Sequence, residues 1–146
     1  MYTYLIVDCA VRPDAARTLR FYAQDLLHRS LFHGQPEAKH ADVGPWLVKL
    51  DGVTTLDGWL NALEGTGDCV PCVSHLKSNC DFETVFAHLQ SFLDLHLSDG
   101  SRALFRFWDP RVFTRLQCVL TREQLQGLMA PFSEWCTAKG ILKNAY

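Results

Sequence analysis

Tyr2-Thr3-Tyr4-Leu5-Ile6-Val7 is apolar on both of its alternating faces. Strand side chains point alternately to opposite sides of a sheet. A strand with one wet face would therefore alternate apolar and polar residues. This one reads as a central strand covered on both sides. The chain around it supplies candidate covers and neighbours. Pro13 opens a helix whose buried stripe is Ala16, Leu19, Ala23, Leu26 and Leu27, at spacings of three and four. Trp46-Leu47-Val48-Lys49-Leu50 is a second strand, started by Gly44-Pro45 and stopped by Asp51-Gly52. Between them, Leu31-Phe32-His33-Gly34 reads as a short strand and residues 35–43 as a polar loop with room for a helical turn.

Further along, Thr54 or Thr55 caps a helix with a Leu56, Trp59, Leu60, Leu63 face, and Gly65 ends it. Residues 69–74 read as a strand in which Pro71, lacking a ladder donor, implies an edge or a bulge. Ser78 to Asp81 resembles a capping box. It precedes the strongest amphipathic pattern of the chain: Phe82, Val85, Phe86, Leu89, Phe92 and Leu93. Residues 95–98 and 102–108 flank Asp99-Gly100, a hairpin signal. Thr121-Arg122-Glu123-Gln124 is another capping box. Behind it Leu125, Leu128, Met129, Phe132, Trp135 and Cys136 repeat at helical spacing, with Pro131 kinking or dividing that helix.

The alternation of strands and helices suggests parallel crossovers, and the hairpin adds an antiparallel pair. The expected class is α/β (α+β): a mixed sheet with a C-terminal hairpin, helices packed on the sheet and a helical C-terminus. With 146 residues and no repeat or linker, one domain over 1–146 is expected. A 48% hydrophobic, 21% charged chain can bury a real core. A net charge of −2 makes no electrostatic case for nucleic acid. No apolar run approaches the roughly 20 residues of a membrane span. The N-terminus has neither the basic region nor the cleavage site of a signal peptide, so a cytoplasmic location is expected.

Three groups of residues are candidates for chemistry. Cys69-Val70-Pro71-Cys72, with His75 and Cys80 nearby, is one. Such a pair can bind zinc or exchange thiols. A second ligand pair is missing, and on a strand the two cysteines would face opposite sides. Buried thiols are the favoured reading, with a small metal or thiol-redox protein as the alternative. The histidines show no pair at metal spacing, and no nucleophile elbow or phosphate loop occurs. No cofactor and no enzyme activity are expected.

The last candidate is the stretch Arg102-Ala103-Leu104-Phe105-Arg106-Phe107-Trp108-Asp109-Pro110-Arg111-Val112-Phe113. It reads as a strand running into a helix. Phe105 and Phe107 face the core. Arg102, Arg106 and Trp108 share the other face, a composition suited to a partner surface. Asp109 offers a cap and Pro110 suits the first helical position. Arg111 and Arg115, four apart, share one helix face. Arg102, Arg106, Trp108, Arg111 and Arg115 are therefore the candidate partner-binding residues. A competing, internal use is an ion pair of Arg106 or Arg111 with Asp109 or another carboxylate.

Residues 106–113 resemble the Arg-Phe-Tyr/Trp-Asp-Pro-Arg-Val signature of the type VI secretion effector chaperones, also called adaptors. Other marks follow in the family's order. Leu5-Ile6-Val7-Asp8-Cys9-Ala10 is similar to its opening strand, and Gly44-Pro45-Trp46-Leu47-Val48-Lys49-Leu50 to its second. Phe86-Ala87-His88-Leu89 resembles the His-Leu of its central helix, and Pro131 the Gly-Pro in its last helical region. Gln90 stands where a basic residue often follows, and Ala130 where the glycine does. The resemblance implies a non-catalytic protein of the bacterial cytoplasm. It would bind a toxic effector and help load it onto the spike protein of the secretion machine.

Overall fold

The computed structural model describes residues 1–52, 56–64, 70–96 and 98–144. Thr54, Thr55, Gly65, Cys69, the Leu97 position of the expected hairpin, and Ala145 and Tyr146 lie outside them. The strands are β1 (Tyr2–Asp8), β2 (His28–Ser30), β3 (Pro45–Leu50), β4 (Val73–Ser78), β5 (Asp94–His96), β6 (Arg102–Leu104), β7 (Phe132–Thr137) and β8 (Gly140–Lys143). The helices are α1 (Ala15–Tyr22), α2 (Leu56–Glu64), α3 (Phe82–Gln90), α4 (Pro110–Phe113), α5 (Leu116–Val119) and α6 (Arg122–Met129). A 3-10 helix at Ala38–Val43 occupies the expected loop.

The class is α+β. Six strands form one sheet in the order β2-β3-β1-β4-β7-β8, and β5 pairs with β6 apart from it. β1 is central, and its alternation divides the core. Tyr4 and Ile6 face one cluster with Phe82, Val85, Phe86 and Leu89 of α3 and Leu128 and Met129 of α6. Leu5 and Val7 face the other, with Ala15, Ala16 and Leu19 of α1 and Leu56, Leu60 and Leu63 of α2. Both faces of β1 are thus dry, which is why it carries no polar alternation.

Every pairing among the described strands is antiparallel. The expected parallel crossover survives only in part. β3 and β4 run in the same direction, joined through α2, but β1 lies between them and pairs with each. Strand β4 begins at Val73, so Pro71 precedes the ladder and costs no hydrogen bond. That permits β4 its interior position between β1 and β7. Ser78 ends β4, and Asp81 alone caps α3, accepting from Thr84 N–H at 2.9 Å. The short strand near residue 31 lies slightly earlier, at His28–Ser30.

The C-terminus is corrected most. Thr121 and Gln124 close the capping box of α6 as expected. After Pro131, however, the chain is not helical: it forms the β7–β8 hairpin. Phe132 and Trp135 are buried against β4 and α4, and Trp135 stacks on Phe113 at 4.7 Å. The spacing 128, 129, 132, 135 fits a helix, but Pro131 has no N–H to continue one. The open edge of β4 then takes the segment as a strand.

Candidate functional site

The corner after β6 differs from a simple strand-to-helix turn. Extended pairing stops at Leu104, and Phe105 N–H makes a last bond to Leu93 O at 2.7 Å. Residues 107–108 then turn, closed by Asp109 N–H to Arg106 O at 3.1 Å. This turn overrides the alternation. Trp108 does not share a face with Arg106. It folds inward with Phe107, edge-on to Phe107 at 5.2 Å and to Phe32 at 5.8 Å. Phe105, Phe107 and Trp108 are all buried.

Asp109 is the N-cap of α4, with Pro110 at the first helical position. Its Oδ1 accepts the Arg111 backbone N–H at 2.9 Å and the Arg111 Nε–H at 3.1 Å. Its Oδ2 accepts from Arg111 Nη2 at 3.0 Å. One buried carboxylate thus takes a cap bond and a two-pronged guanidinium contact. Arg106 Nη2 lies 3.7 Å from the same oxygen and 3.8 Å from Oδ2 of Asp8. Asp8, at the end of β1, is only 1% exposed. Its Oδ1 accepts Ala10 N–H at 3.1 Å, and its Oδ2 has no hydrogen-bond partner among the described residues.

Two aspartates and two arginines therefore join β1 to the corner. Their environments push the acids apart. Burial raises the Asp8 carboxyl above its usual range, and the Ala10 N–H and Arg106 only partly oppose this. Burial also acts on Asp109, but the Arg111 hydrogen bonds and the two guanidinium charges outweigh it and hold that carboxyl low. The guanidinium groups stay half in solvent, Arg106 48% and Arg111 54% exposed. Of the remaining candidates, Arg102 begins β6 and Arg115 lies in the turn between α4 and α5. Helix α4 stops at Phe113, so Arg111 and Arg115 do not share a continuous helix face. Both Arg102 and Arg115 are exposed, and neither has an ion pair among the described residues. No catalytic or ligand spacing in the sequence marks Asp8. A carboxylate closing an apolar strand is the signal that could have found it.

The thiol and histidine candidates are dispersed. Cys72 is buried with the α1–α2 side of the core, whereas Cys80 packs on the opposite side of the sheet. His75 contacts Glu64 at 3.0 Å. Among the described residues no group of three or more Cys, His, Asp or Glu is placed to hold a metal. Burial raises the Cys9 thiol strongly, which keeps it protonated. His88 sits between Phe92 and Phe132, and its Nε2 lies 2.8 Å from Leu128 O, so that nitrogen carries the proton. Burial lowers its pKa and holds the ring neutral.

The family model described as "Domain of unknown function (DUF4123)" matches residues 3–127. The chain belongs to the DUF4123 family. No curated protein and no solved structure matches it. The part matched to DUF4123 contains Asp8, the corner and α3, and ends before the β7–β8 hairpin. Within it, Gln90 performs a tie that a basic side chain also could. Its Nε2 donates to Leu31 O at 3.1 Å and His33 O at 2.7 Å, fastening α3 to the segment that carries Phe32. None of the helices among the described residues is long and apolar enough to cross a membrane.

Proposed function

We propose that this DUF4123 chain is a non-catalytic adaptor of the bacterial cytoplasm. It binds a toxic type VI secretion effector and helps load it onto the spike protein. Support comes from the family match together with the resemblance of residues 106–113 to the effector-chaperone signature. The observation that carries the reading is how the corner spends its charges. Asp109 is committed to the cap of α4 and to Arg111, while the guanidinium groups of Arg106 and Arg111 remain half exposed; Arg102 and Arg115 are exposed as well. Planar guanidinium groups on a rigid support suit recognition of carboxylates on a protein partner. Binding has to meet the cost of ordering these side chains. Apolar area covered on the effector would add roughly 25 cal/mol per Å² before such costs.

The test is to look for a toxin gene beside this one and to co-express its product with the chain. The adaptor should co-purify with it and raise its soluble yield. Arg106→Glu should weaken retention more than a reversal at Arg17, a surface residue of α1 far along the chain from the corner. A toxin that is equally soluble alone, and never retained, would count decisively against the reading.

A further inference from the structure

The six-stranded sheet ends at β8, which pairs only with β7 among the described residues. Asn144 N–H donates to Ser133 O at 3.0 Å, which sets the phase of this antiparallel ladder. Gly140, Leu142 and Asn144 turn their backbone groups toward β7; Ile141 and Lys143 turn theirs outward. An outward row of N–H and C=O groups is a template for another strand.

Two cross-strand rows run to this edge on opposite faces. Tyr4, Leu76, Trp135 and Leu142 stand opposite one another in turn, all apolar. Lys77, Glu134 and Lys143 alternate in sign. Lys77 Nζ lies 3.4 Å from Glu134, whereas Lys143 has no ion pair among the described residues. Each row therefore lacks its next member: an apolar side chain beside Leu142 and a carboxylate beside Lys143. Two grooves flank Leu142. One is bounded by Phe113, Gln117 and Ile141, the other by Leu125, Met129 and Asn144. Among the described residues, Arg122, Lys139 and Lys143 are their charged lining residues, and no carboxylate lines either groove.

We propose that the β8 edge takes up an extended segment of a protein partner as a further strand. Apolar side chains at alternate positions stand opposite Gly140, Leu142 and Asn144, on the face of the two grooves, and an acidic residue stands opposite Lys143. Backbone pairing supplies the attachment, and the side-chain alternation supplies the choice of segment. For the partner's identity this rests on the adaptor reading, to which it adds the mode of capture. A second copy of the chain fits less well. Among the described residues of β8, Ile141 and Lys143 face outward, and antiparallel self-pairing through them sets Lys143 against Ile141, Lys139 or Lys143 of the copy. No acidic residue occurs from 139 to 144, so none of these registers completes the charged row.

The probe is a short fluorescein-labelled peptide alternating valine with glutamate and threonine, compared with a counterpart carrying lysine in place of glutamate. Anisotropy should show the glutamate peptide binding about fivefold more tightly. Lys143→Glu should reverse the order. Ile141→Pro removes an outward N–H without taking a bond from the β7–β8 ladder, so it should abolish binding. Equal affinity for the two peptides, no binding of either, or undiminished binding by both variants overturns the proposal. The co-expressed toxin separates the two readings. If the wild type and both variants retain it equally, the edge proposal fails and the adaptor reading stands. If the wild type never retains it, the adaptor reading fails, and the peptides still decide the edge.

Discussion

Replacing Asp109 by Ala should lower thermal stability before it alters any binding. The carboxylate is buried and makes three contacts with Arg111, one of them the cap of α4. Losing an N-cap costs about 1 kcal/mol. The guanidinium contact adds only about 0.5 kcal/mol, because Arg111 is more than half exposed and solvent screens it. Truncating a buried side chain leaves a small void worth roughly another 0.5 kcal/mol. Relief of repulsion on Asp8 offsets a few tenths. The sum, about 2 kcal/mol, corresponds to a fall of about 6 °C in Tm for a chain of this size. Asp109→Asn retains the cap acceptor and should lose about half as much. The sign of the pH dependence is also set. A carboxyl held low in the fold contributes stability that is present above its unfolded value, about 3.9. That stability is lost as pH falls through the folded value. The deficit of Asp109→Ala should therefore narrow in acid. Circular dichroism melts from pH 7 down to about 3, run beside partner retention, test this. Loss of retention with an unchanged Tm would refute the reasoning and make Asp109 part of the binding surface.

Asp8 should behave oppositely. Its raised folded pKa means the native state keeps a proton that the unfolded chain has released, so stability falls as pH rises from the unfolded value through the folded one. The Tm of Asp8→Asn minus that of the wild type should grow over that interval; a difference that is flat with pH contradicts the burial of an uncompensated carboxylate. Gly44→Ala should destabilise by about 2 kcal/mol, since its Cβ would come within van der Waals radii of the buried Phe32 ring, which packs on Trp108; an unchanged urea midpoint would show that ring free to move. Among the described cysteines, brief alkylation of the native protein should label Cys118 first and leave Cys9 and Cys72 unlabelled until it is denatured; mass spectrometry of the tryptic peptides reads the order, and early labelling of Cys9 contradicts its burial.

Much of the fold was legible in the residues, because local rules and tertiary packing agree there. Tyr2–Val7 shows no polar alternation, and it is the strand covered on both faces. Thr121 and Gln124 form the capping box their spacing implies. Phe82, Val85, Phe86 and Leu89 form the buried face of α3. In the corner, Asp109 and Pro110 are a local device and could be read as one. Burial of Trp108 could not, because a turn at residues 107–108 breaks the alternation that placed it beside Arg106.

What the sequence alone determined is the set of elements whose signals lie within a few residues: the central strand, the caps and the amphipathic helices. The tertiary structure decided everything that depends on a neighbour distant in the chain. Residues 132–137 carry a helix-compatible pattern, yet they become a strand because β4 presents an unpaired edge. β1 lies between β3 and β4, which makes the pairings antiparallel although those two strands run the same way. Asp8 and Arg106, 98 positions apart, become neighbours at 3.8 Å only once β1 and the corner pack together. Periodicity and capping are short-range properties of the backbone. Edge availability and charge proximity arise when separate segments share one core, and no local pattern encodes them.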